Sequence, residues 1–116
     1  MTDLEMTRLC AQASGLYEAP YRVAQPHAPH PESALRMAEG RKAAHWYDPL
    51  HDDAQAMALV KKFRLTIKCD KRGRWFCTTF TNITFKYECS HANLNHAVVT
   101  CVAKMQASRS DGDKQP

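Results

Sequence analysis

The densest group of chemically active side chains in the sequence is a run of cations between residues 61 and 74. Seven of these positions are basic and one is acidic, and the cations are Lys61, Lys62, Arg64, Lys68, Lys71, Arg72 and Arg74. Phe63, Trp75 and Phe76 lie among or beside them. Cations bind phosphates and carboxylates, and flat rings stack on nucleobases. The run predicts a binding surface for nucleic acid or an acidic protein, or else a solvated sheet face that only resists aggregation.

A second group places a histidine among carboxylates, at Asp48, His51, Asp52 and Asp53. Such a pair can supply a general base and the acid that orients it. Asp52 and Asp53 also suit the start of a helix, where a carboxylate caps free N–H groups and opposes the helix dipole. Capping explains both residues without catalysis, so we predict no catalytic residue here.

Two sets of residues have the types that bind metals. His27 and His30 are three residues apart, but prolines surround them and no third ligand is obvious. Cys69, Cys77 and Cys89 lack the short spacing of structural zinc ligands. Their parity matches that of apolar strand residues, which favours small core side chains. We therefore expect no metal and no cofactor.

The cysteines and the standard enzyme motifs argue against catalysis. The chain has five cysteines and no visible secretory signal, so reduced thiols are expected. Cys89 is close to His91, but its parity with Phe85 and Tyr87 predicts that it points into the core and is inert. The GxSxG, P-loop, GxGxxG and HExxH strings are missing from the sequence. The sequence indicates a protein that is not an enzyme.

The basic run falls on a predicted helix, strand and turn. Asp52 predicts an N-cap for a helix over residues 52–62, which has acids at its start and lysines at its end. The period then changes to two, with Arg64 and Lys68 on one face of a strand and apolar residues on the other. Residues 70–73 form a polar turn that ends in glycine.

Strand and helix patterns continue to residue 107. Residues 75–80 and 83–89 read as two more strands, joined by a turn at 81–82. After Ser90, a candidate cap, the period becomes helical. The predicted buried face of this last helix consists of Leu94, Ala97, Val98, Cys101, Val102 and Met105. Residues 108–116 carry no large apolar side chain and predict a disordered tail.

The N-terminal part is less regular. A short helix is predicted over residues 2–14, with Asp3 near its cap and Gly15 at its end. Its expected buried stripe is Leu4, Leu9, Cys10 and Ala13, with Met6 off the stripe. Residues 17–31 carry four prolines and predict a loop. Residues 33–44 contain good helix formers and predict a short, mostly exposed helix.

These elements predict a single α+β domain over residues 1–107. In it, a three-stranded antiparallel sheet packs against helices, and 116 residues suffice for one core. The net charge of +4 divides into −3 for residues 1–60, +6 for residues 61–90 and +1 for residues 91–116. No apolar run is long enough to cross a bilayer. A cytoplasmic protein is therefore expected.

Two segments resemble a known family. Residues 46–54, WYDPLHDDA, followed by ALVKKFRL at 58–65, resemble the entry to the first helix of the phage ABA-sandwich family, which includes NinX-like proteins. Residues 9–16, LCAQASGL, are similar to its opening helix. The resemblance implies a three-layer fold with a central antiparallel sheet, a phage or prophage origin and a host-cytoplasmic location. It implies no catalytic residues, and residues 17–44 and the basic hairpin depart from the pattern.

These observations together predict a non-enzymatic binding protein. A small phage protein without enzyme motifs is expected to modulate or inhibit a host protein with an acidic surface, in an anti-defence or anti-CRISPR-like role. The alternative is binding of nucleic acid or a nucleotide through the basic first hairpin. The sequence leaves open the oligomeric state and whether residues 17–44 dock on the domain or contact a partner.

Overall fold

The structure, a computed structural model, describes residues 1–18, 28–38, 44–79 and 87–113, and side chains as far as residue 109. The helices are α1 (Asp3–Ala13), α2 (Asp53–Phe63) and α3 (Leu94–Asp113). The strands are β1 (Tyr17–Glu18), β2 (Leu35–Ala38), β3 (His45–Tyr47), β4 (Thr66–Cys69), β5 (Trp75–Thr78) and β6 (Glu88–His91). They form two antiparallel sheets, in the orders β1-β2-β3 and β4-β5-β6. The predicted α+β class is confirmed, and the second sheet is the predicted three-stranded one.

Local signals at both ends explain helix α1. Its N-cap is Thr2 rather than Asp3, because the Thr2 hydroxyl accepts from Glu5 N while the Glu5 carboxylate accepts from Thr2 N. At the other end, Gly15 has φ of +81° and Leu16 N donates to Ala11 O. This is a left-handed C-cap, and it ends the helix where the sequence predicts.

The buried stripe of α1 differs from the predicted one. Met6 and Cys10 are buried in the core, while Leu4 and Leu9 are only half-buried. Met6 contacts α3, where Thr100 Oγ1 lies 3.5 Å from its sulfur. The prediction was wrong about Met6 because α1 packs mainly on α3, and that neighbour sets which side of the helix is covered.

The first sheet was not predicted. Residues 35–38 form β2 and not an exposed helix, and Met37 and Ala38 are buried. Their helix-forming preference is overridden by pairing with β3, in which Trp46 lies opposite Arg36. Residues 17 and 18, predicted as loop, pair with β2. Residues 19–27 and 39–43 lie outside the described part of the chain, as does His27.

Helix α2 has the predicted limits to within one residue. The Asp52 carboxylate accepts from Gln55 N and caps the first turn. The helix ends at Arg64, which adopts a left-handed conformation (φ 52°, ψ 51°), and Leu65 N then donates to Val60 O. Arg64 is therefore a helix cap and not the strand residue that alternation suggested.

In the second sheet, β5 is the central strand. Ile67, Cys77 and Cys89 lie opposite one another across the three strands and pack in the core. The prediction that Cys77 and Cys89 are buried is confirmed, but Cys69, at the end of β4, is exposed. Residues 81–86, including the predicted turn at 81–82, lie outside the described part.

The turn between β4 and β5 is held by one carboxylate. Asp70 Oδ1 accepts from the backbone N–H groups of Arg72 and Arg74, both at 2.9 Å. Gly73 has φ of +78°, which a residue without Cβ adopts freely. The predicted polar turn is confirmed.

Helix α3 is the centre of the fold and contacts α1, α2, β5 and β6. The predicted core residues are buried, apart from Leu94, which is half-buried. Val99 and Ala103 are also fully buried, because elements pack on more than one side of this helix. Its cap is Asn93 and not Ser90, since the Asn93 side chain accepts from His96 N and Ser90 belongs to β6.

The C-terminal prediction was wrong as far as the structure describes it. α3 continues to Asp113 and includes six residues of the predicted disordered tail, while residues 114–116 lie outside the described part. None of the helices in the described part is both long enough and apolar enough to span a bilayer.

Candidate functional site

The seven predicted cations form one exposed set, which we call the basic surface. It consists of Lys61, Lys62, Arg64, Lys68, Lys71, Arg72 and Arg74, and every member is exposed. The first two are on the last turn of α2, the third is its cap, and the others lie on β4, on the turn and just before β5. Helix, cap and hairpin are consecutive in the chain, so local folding alone brings these charges together.

Three polar contacts hold the elements that carry the basic surface in place. Lys62 Nζ donates to Ser14 O at 3.0 Å and ties α2 to the end of α1. Arg74 Nε donates to Ser90 Oγ at 3.2 Å, across β5 and β6. The Asp70 carboxylate accepts from two backbone N–H groups and does not pair with a cation of the surface. Two of the seven cations, Lys62 and Arg74, thus make hydrogen bonds to the described part of the fold, and all seven are exposed to solvent.

The basic surface is not neutralised from within the described residues. None of its seven members forms an ion pair with another described residue, whereas Arg8 pairs with Glu18 at 2.7 Å. Exposed charges of one sign repel one another, and an acidic partner relieves that repulsion. The arrangement suits a surface that binds anionic groups.

One aromatic residue accompanies these charges on the outer face of the second sheet, the face opposite to Ile67 and Cys77. Phe76 lies on this face, between Lys68 and Ser90 in the cross-strand row. It is half-buried and does not belong to the core cluster. Phe63 and Trp75, predicted as further stacking residues, pack instead against the core. Of the three predicted aromatics, only Phe76 is on the outer face.

A second site lies at the other end of α2, and we call it the histidine–aspartate cluster. It consists of His30, Ser33, Asp48 and His51. Asp48 Oδ2 lies 2.8 Å from His51 Nδ1, and Ser33 Oγ lies 3.2 Å from the same nitrogen. The His30 and His51 rings stack with centroids 3.9 Å apart and planes inclined by 16°.

Two turns at the same end of the first sheet position this cluster. The N–H groups of Ser33 and Ala34 donate to His30 O, which closes a turn just before β2. The N–H groups of His51 and Asp52 donate to Asp48 O, just after β3. Strands β2 and β3 pair with each other, so the two turns face one another.

Gln55 fastens the second turn to α2. Its Oε1 accepts from Asp48 N at 2.6 Å, and its Nε2 donates to Trp46 O at 2.9 Å. Asp48 belongs to the short segment that joins β3 to α2, and Trp46 belongs to β3 itself. The position of Asp48 therefore depends on one side chain of the helix.

Asp48 is the unusual member of the cluster. It is only 5% exposed, and its Oδ1 atom is buried without a hydrogen-bond partner among the described residues. Burial of a carboxylate oxygen without a partner costs free energy, so such atoms are uncommon in folded proteins. A cavity of about 180 Å³ adjoins it, lined by His30, Trp46, His51 and Gln55 among others.

The cluster has the residue types of a hydrolytic triad but not its geometry. A triad needs the acid and the nucleophile on opposite nitrogens of the histidine. Here Asp48 and Ser33 both approach Nδ1 of His51, and Ser33 is fully buried. This arrangement cannot relay a proton from Ser33 through His51.

The structure separates the four residues of the predicted acid–histidine group. Asp48 and His51 come together, as described above. Asp52 caps α2, and Asp53 Oδ1 accepts from Asn95 Nδ2 at 2.8 Å. The capping interpretation is confirmed for Asp52, while Asp53 joins α2 to the start of α3.

In the described part of the chain, His91 and Cys89 have separate partners. His91 and His96 stack with centroids 3.9 Å apart, and Asn93 N donates to His91 Nδ1. Desolvation and the nearby charges of His96 and Arg74 lower the pKa of His91. The Cys101 thiol and burial raise the pKa of Cys89, which opposes formation of a thiolate nucleophile.

Sequence reasoning found the basic surface and missed the histidine–aspartate cluster. It considered His30 only with His27, and His51 only with its neighbouring acids. Pairing of β2 with β3 joins the two groups, and β2 was predicted as helix. The only sequence signal for the cluster is the shared presence of histidine in two short segments, which is too common to be informative.

Comparisons with known proteins give no further assignment. The chain matches no protein-family model, no curated protein and no solved structure. Functional inference therefore rests on the two sites.

Proposed function

We propose that the chain is a small non-enzymatic binding protein that docks its basic surface on an acidic face of a partner protein. The observation that carries this proposal is the set of seven exposed cations without an ion-pair partner among the described residues. The Asp70 carboxylate orders the backbone of the turn that carries Arg72 and Arg74, which lowers the entropy cost of binding.

The expected partner is a protein of the host cell. The resemblance to the phage ABA-sandwich family supports a phage or prophage origin, and a phage protein of this size can act by occupying a host protein. Inhibition of a host defence protein, in an anti-CRISPR-like manner and in the host cytoplasm, is the specific form of the proposal. Electrostatic complementarity would speed association and exclude partners with basic surfaces.

Nucleic acid is the second candidate, favoured by the position of Phe76. This ring lies beside Lys68 on the outer face of the second sheet, and Arg74 donates a hydrogen bond to the neighbouring Ser90. Open sheet faces with an aromatic residue and flanking cations bind single strands by stacking and phosphate contacts. Stacking through a single ring gives this candidate less support than the charges give the first.

The first test is an affinity pull-down of the tagged full chain from nuclease-treated bacterial lysate, washed at low and at high salt. We expect one acidic host protein in stoichiometric amount, reduced but not abolished by high salt, because a protein interface also has uncharged contacts. Recovery of no protein above the level of an untagged control would contradict the proposal.

Fluorescence anisotropy with a labelled single-stranded oligonucleotide tests the second candidate. If nucleic acid is the ligand, affinity falls steeply with salt, and Phe76→Ala weakens binding by about 1–3 kcal/mol without a change of charge. Charge reversal at Arg64, Lys68, Arg72 and Arg74 should then abolish it. Undetectable or salt-insensitive binding would exclude this candidate.

A further inference from the structure

We propose that the histidine–aspartate cluster binds a divalent transition-metal ion, for which Zn²⁺ is the best fit. His30, Asp48 and His51 each offer one ligand atom, and these atoms lie within 4.8 Å of one another. Two ligands of one tetrahedral Zn²⁺ are about 3.4 Å apart. Small side-chain movements are enough to bring the three atoms to that spacing.

The buried carboxylate provides an independent argument. Asp48 Oδ1 has no hydrogen-bond donor among the described residues, although the carboxylate is almost fully buried. A cation next to the carboxylate would supply the interaction that this group lacks. The adjoining cavity gives the ion and a bound water a place beside the carboxylate.

The donor set selects the class of ion. Two imidazoles and one carboxylate suit Zn²⁺ and neighbouring transition metals, whereas Ca²⁺ and Mg²⁺ prefer oxygen ligands alone. Three protein ligands leave a fourth position for water. Glu32, whose carboxylate lies 4.0 Å from His30 Nδ1, adds negative charge nearby.

Binding requires two local changes. The stacked rings hold their nitrogen lone pairs in two nearly parallel planes, so one ring must rotate before both can point at the same ion. His30 is the ring freer to do so, because His51 Nδ1 is held by Asp48 and Ser33, whereas His30 Nδ1 lies 4.0 Å from Glu32. At His51, binding through Nδ1 requires the neutral tautomer that carries its proton on Nε2, so the ion takes the place of the hydrogen bond between Nδ1 and Asp48.

The bound ion would join two segments that are distant in sequence. His30 belongs to the turn before β2, while Asp48 and His51 belong to the turn that leads into α2. Gln55 already supports the second turn from behind, as outer-shell groups do in metal sites. The site would clamp the first sheet to α2 and stabilise the fold when occupied.

Isothermal titration of the metal-free full chain with Zn²⁺ tests the proposal, with Co²⁺ absorption to report the ligand types. We expect one ion per chain and a cobalt spectrum without a thiolate charge-transfer band. His30→Ala and Asp48→Asn should each weaken the affinity at least about tenfold. Zn²⁺ should also raise the thermal midpoint of the wild-type chain but not that of His30→Ala.

Three matched variants control for binding elsewhere. His45→Ala removes an exposed histidine of β3, His96→Ala breaks the other histidine stack, and Cys69→Ser removes an exposed thiol. All three should keep wild-type affinity. Circular dichroism of each metal-free variant shows whether it is folded, and His30→Ala should be, since its side chain is partly exposed.

The outcomes are decisive in both directions. Loss of binding in folded His30→Ala, with retention in the three controls, supports the site. A wild-type chain that binds no Zn²⁺ at micromolar concentration overturns the proposal. Equal affinity in the wild type and His30→Ala also overturns it. Loss of Zn²⁺ binding in one of the three control variants, with binding kept in His30→Ala, overturns it as well, because the ion would then bind at the residue that the control removes.

Discussion

The basic surface and the histidine–aspartate cluster lie at opposite ends of α2 and are built in different ways. The surface comes from consecutive residues, and its charged groups are exposed. The cluster joins a turn before β2 to a turn after β3, and its carboxylate is buried. Substitutions at the surface should therefore alter binding with little effect on stability, whereas substitutions around the cluster should alter stability first.

The largest stability effect is expected at Gln55. Gln55→Ala removes the acceptor for Asp48 N and the donor to Trp46 O, so two partly buried backbone groups lose their partners. We expect a loss of about 2 kcal/mol in the free energy of unfolding. Urea denaturation measures it.

Gln12→Ala is the matched control, because Gln12 is an exposed glutamine in α1. It should change the free energy of unfolding by less than about 0.5 kcal/mol. Equal effects of the two substitutions would show that Gln55 does not hold the turn of the cluster.

A smaller effect is expected at the hairpin. Asp70→Ala removes the acceptor for Arg72 N and Arg74 N, which water can replace because the turn is exposed. We expect a loss of about 1 kcal/mol, and a smaller loss for Asp70→Asn, which keeps an oxygen acceptor. Urea midpoints of the two variants provide the comparison. If Asp70→Asn were as unstable as Asp70→Ala, the carboxylate charge and not the turn geometry would be responsible.

Arg64 separates backbone conformation from charge. Arg64→Gly relieves the left-handed conformation and should stabilise the fold by up to ~1 kcal/mol. Arg64→Ala removes the same charge but keeps Cβ, so it should give no such gain. Thermal or urea unfolding distinguishes them. A gain of similar size in both variants would assign the effect to relief of charge repulsion across the basic surface.

The smallest effect is a pH dependence from His91, at the edge of the basic surface. Desolvation and the charges of His96 and Arg74 lower its pKa in the folded state, so protonation favours unfolding. Its contribution to stability is complete above the unfolded pKa of about 6.5 and is lost as pH falls below that value. The fall in the urea midpoint between pH 7.5 and pH 5 should be smaller in His96→Ala than in the wild type. An unchanged fall would contradict this assignment.

The sequence predicts those parts of the fold that are determined locally. Helix α2 follows from its cap and the charges at its ends, helix α3 from a 3.6-residue period, and the second sheet from alternation around a turn. The first sheet has strands of two to four residues, and β2 consists largely of helix formers. The pairing of these strands depends on contacts between residues distant in sequence, and the propensity of each segment does not predict such contacts.

The two sites differ in the same way, because one is determined by local sequence and the other by tertiary contacts. The charges of the basic surface are neighbours in the chain, so counting them was enough to find the surface. Ser33 and His51 are 18 residues apart and meet only because β2 pairs with β3. The unpartnered oxygen of Asp48 is a property of packing and leaves no pattern in the sequence.

The central claim is that the basic surface binds an acidic partner protein, and a pair of charge-reversed variants tests it most directly. Lys68→Glu with Arg72→Glu reverses two exposed charges of the surface, while Lys104→Glu with Arg109→Glu reverses two exposed charges of α3. Both variants change the net charge by the same amount. The quantity to measure is the amount of partner protein that each retains from nuclease-treated lysate.

We expect the Lys68 and Arg72 variant to lose the partner while the Lys104 and Arg109 variant retains it at the wild-type level. That difference would locate the interface on the hairpin. Equal retention by the two variants, or equal loss, would contradict the account, because binding would then depend on net charge or on another face of the protein.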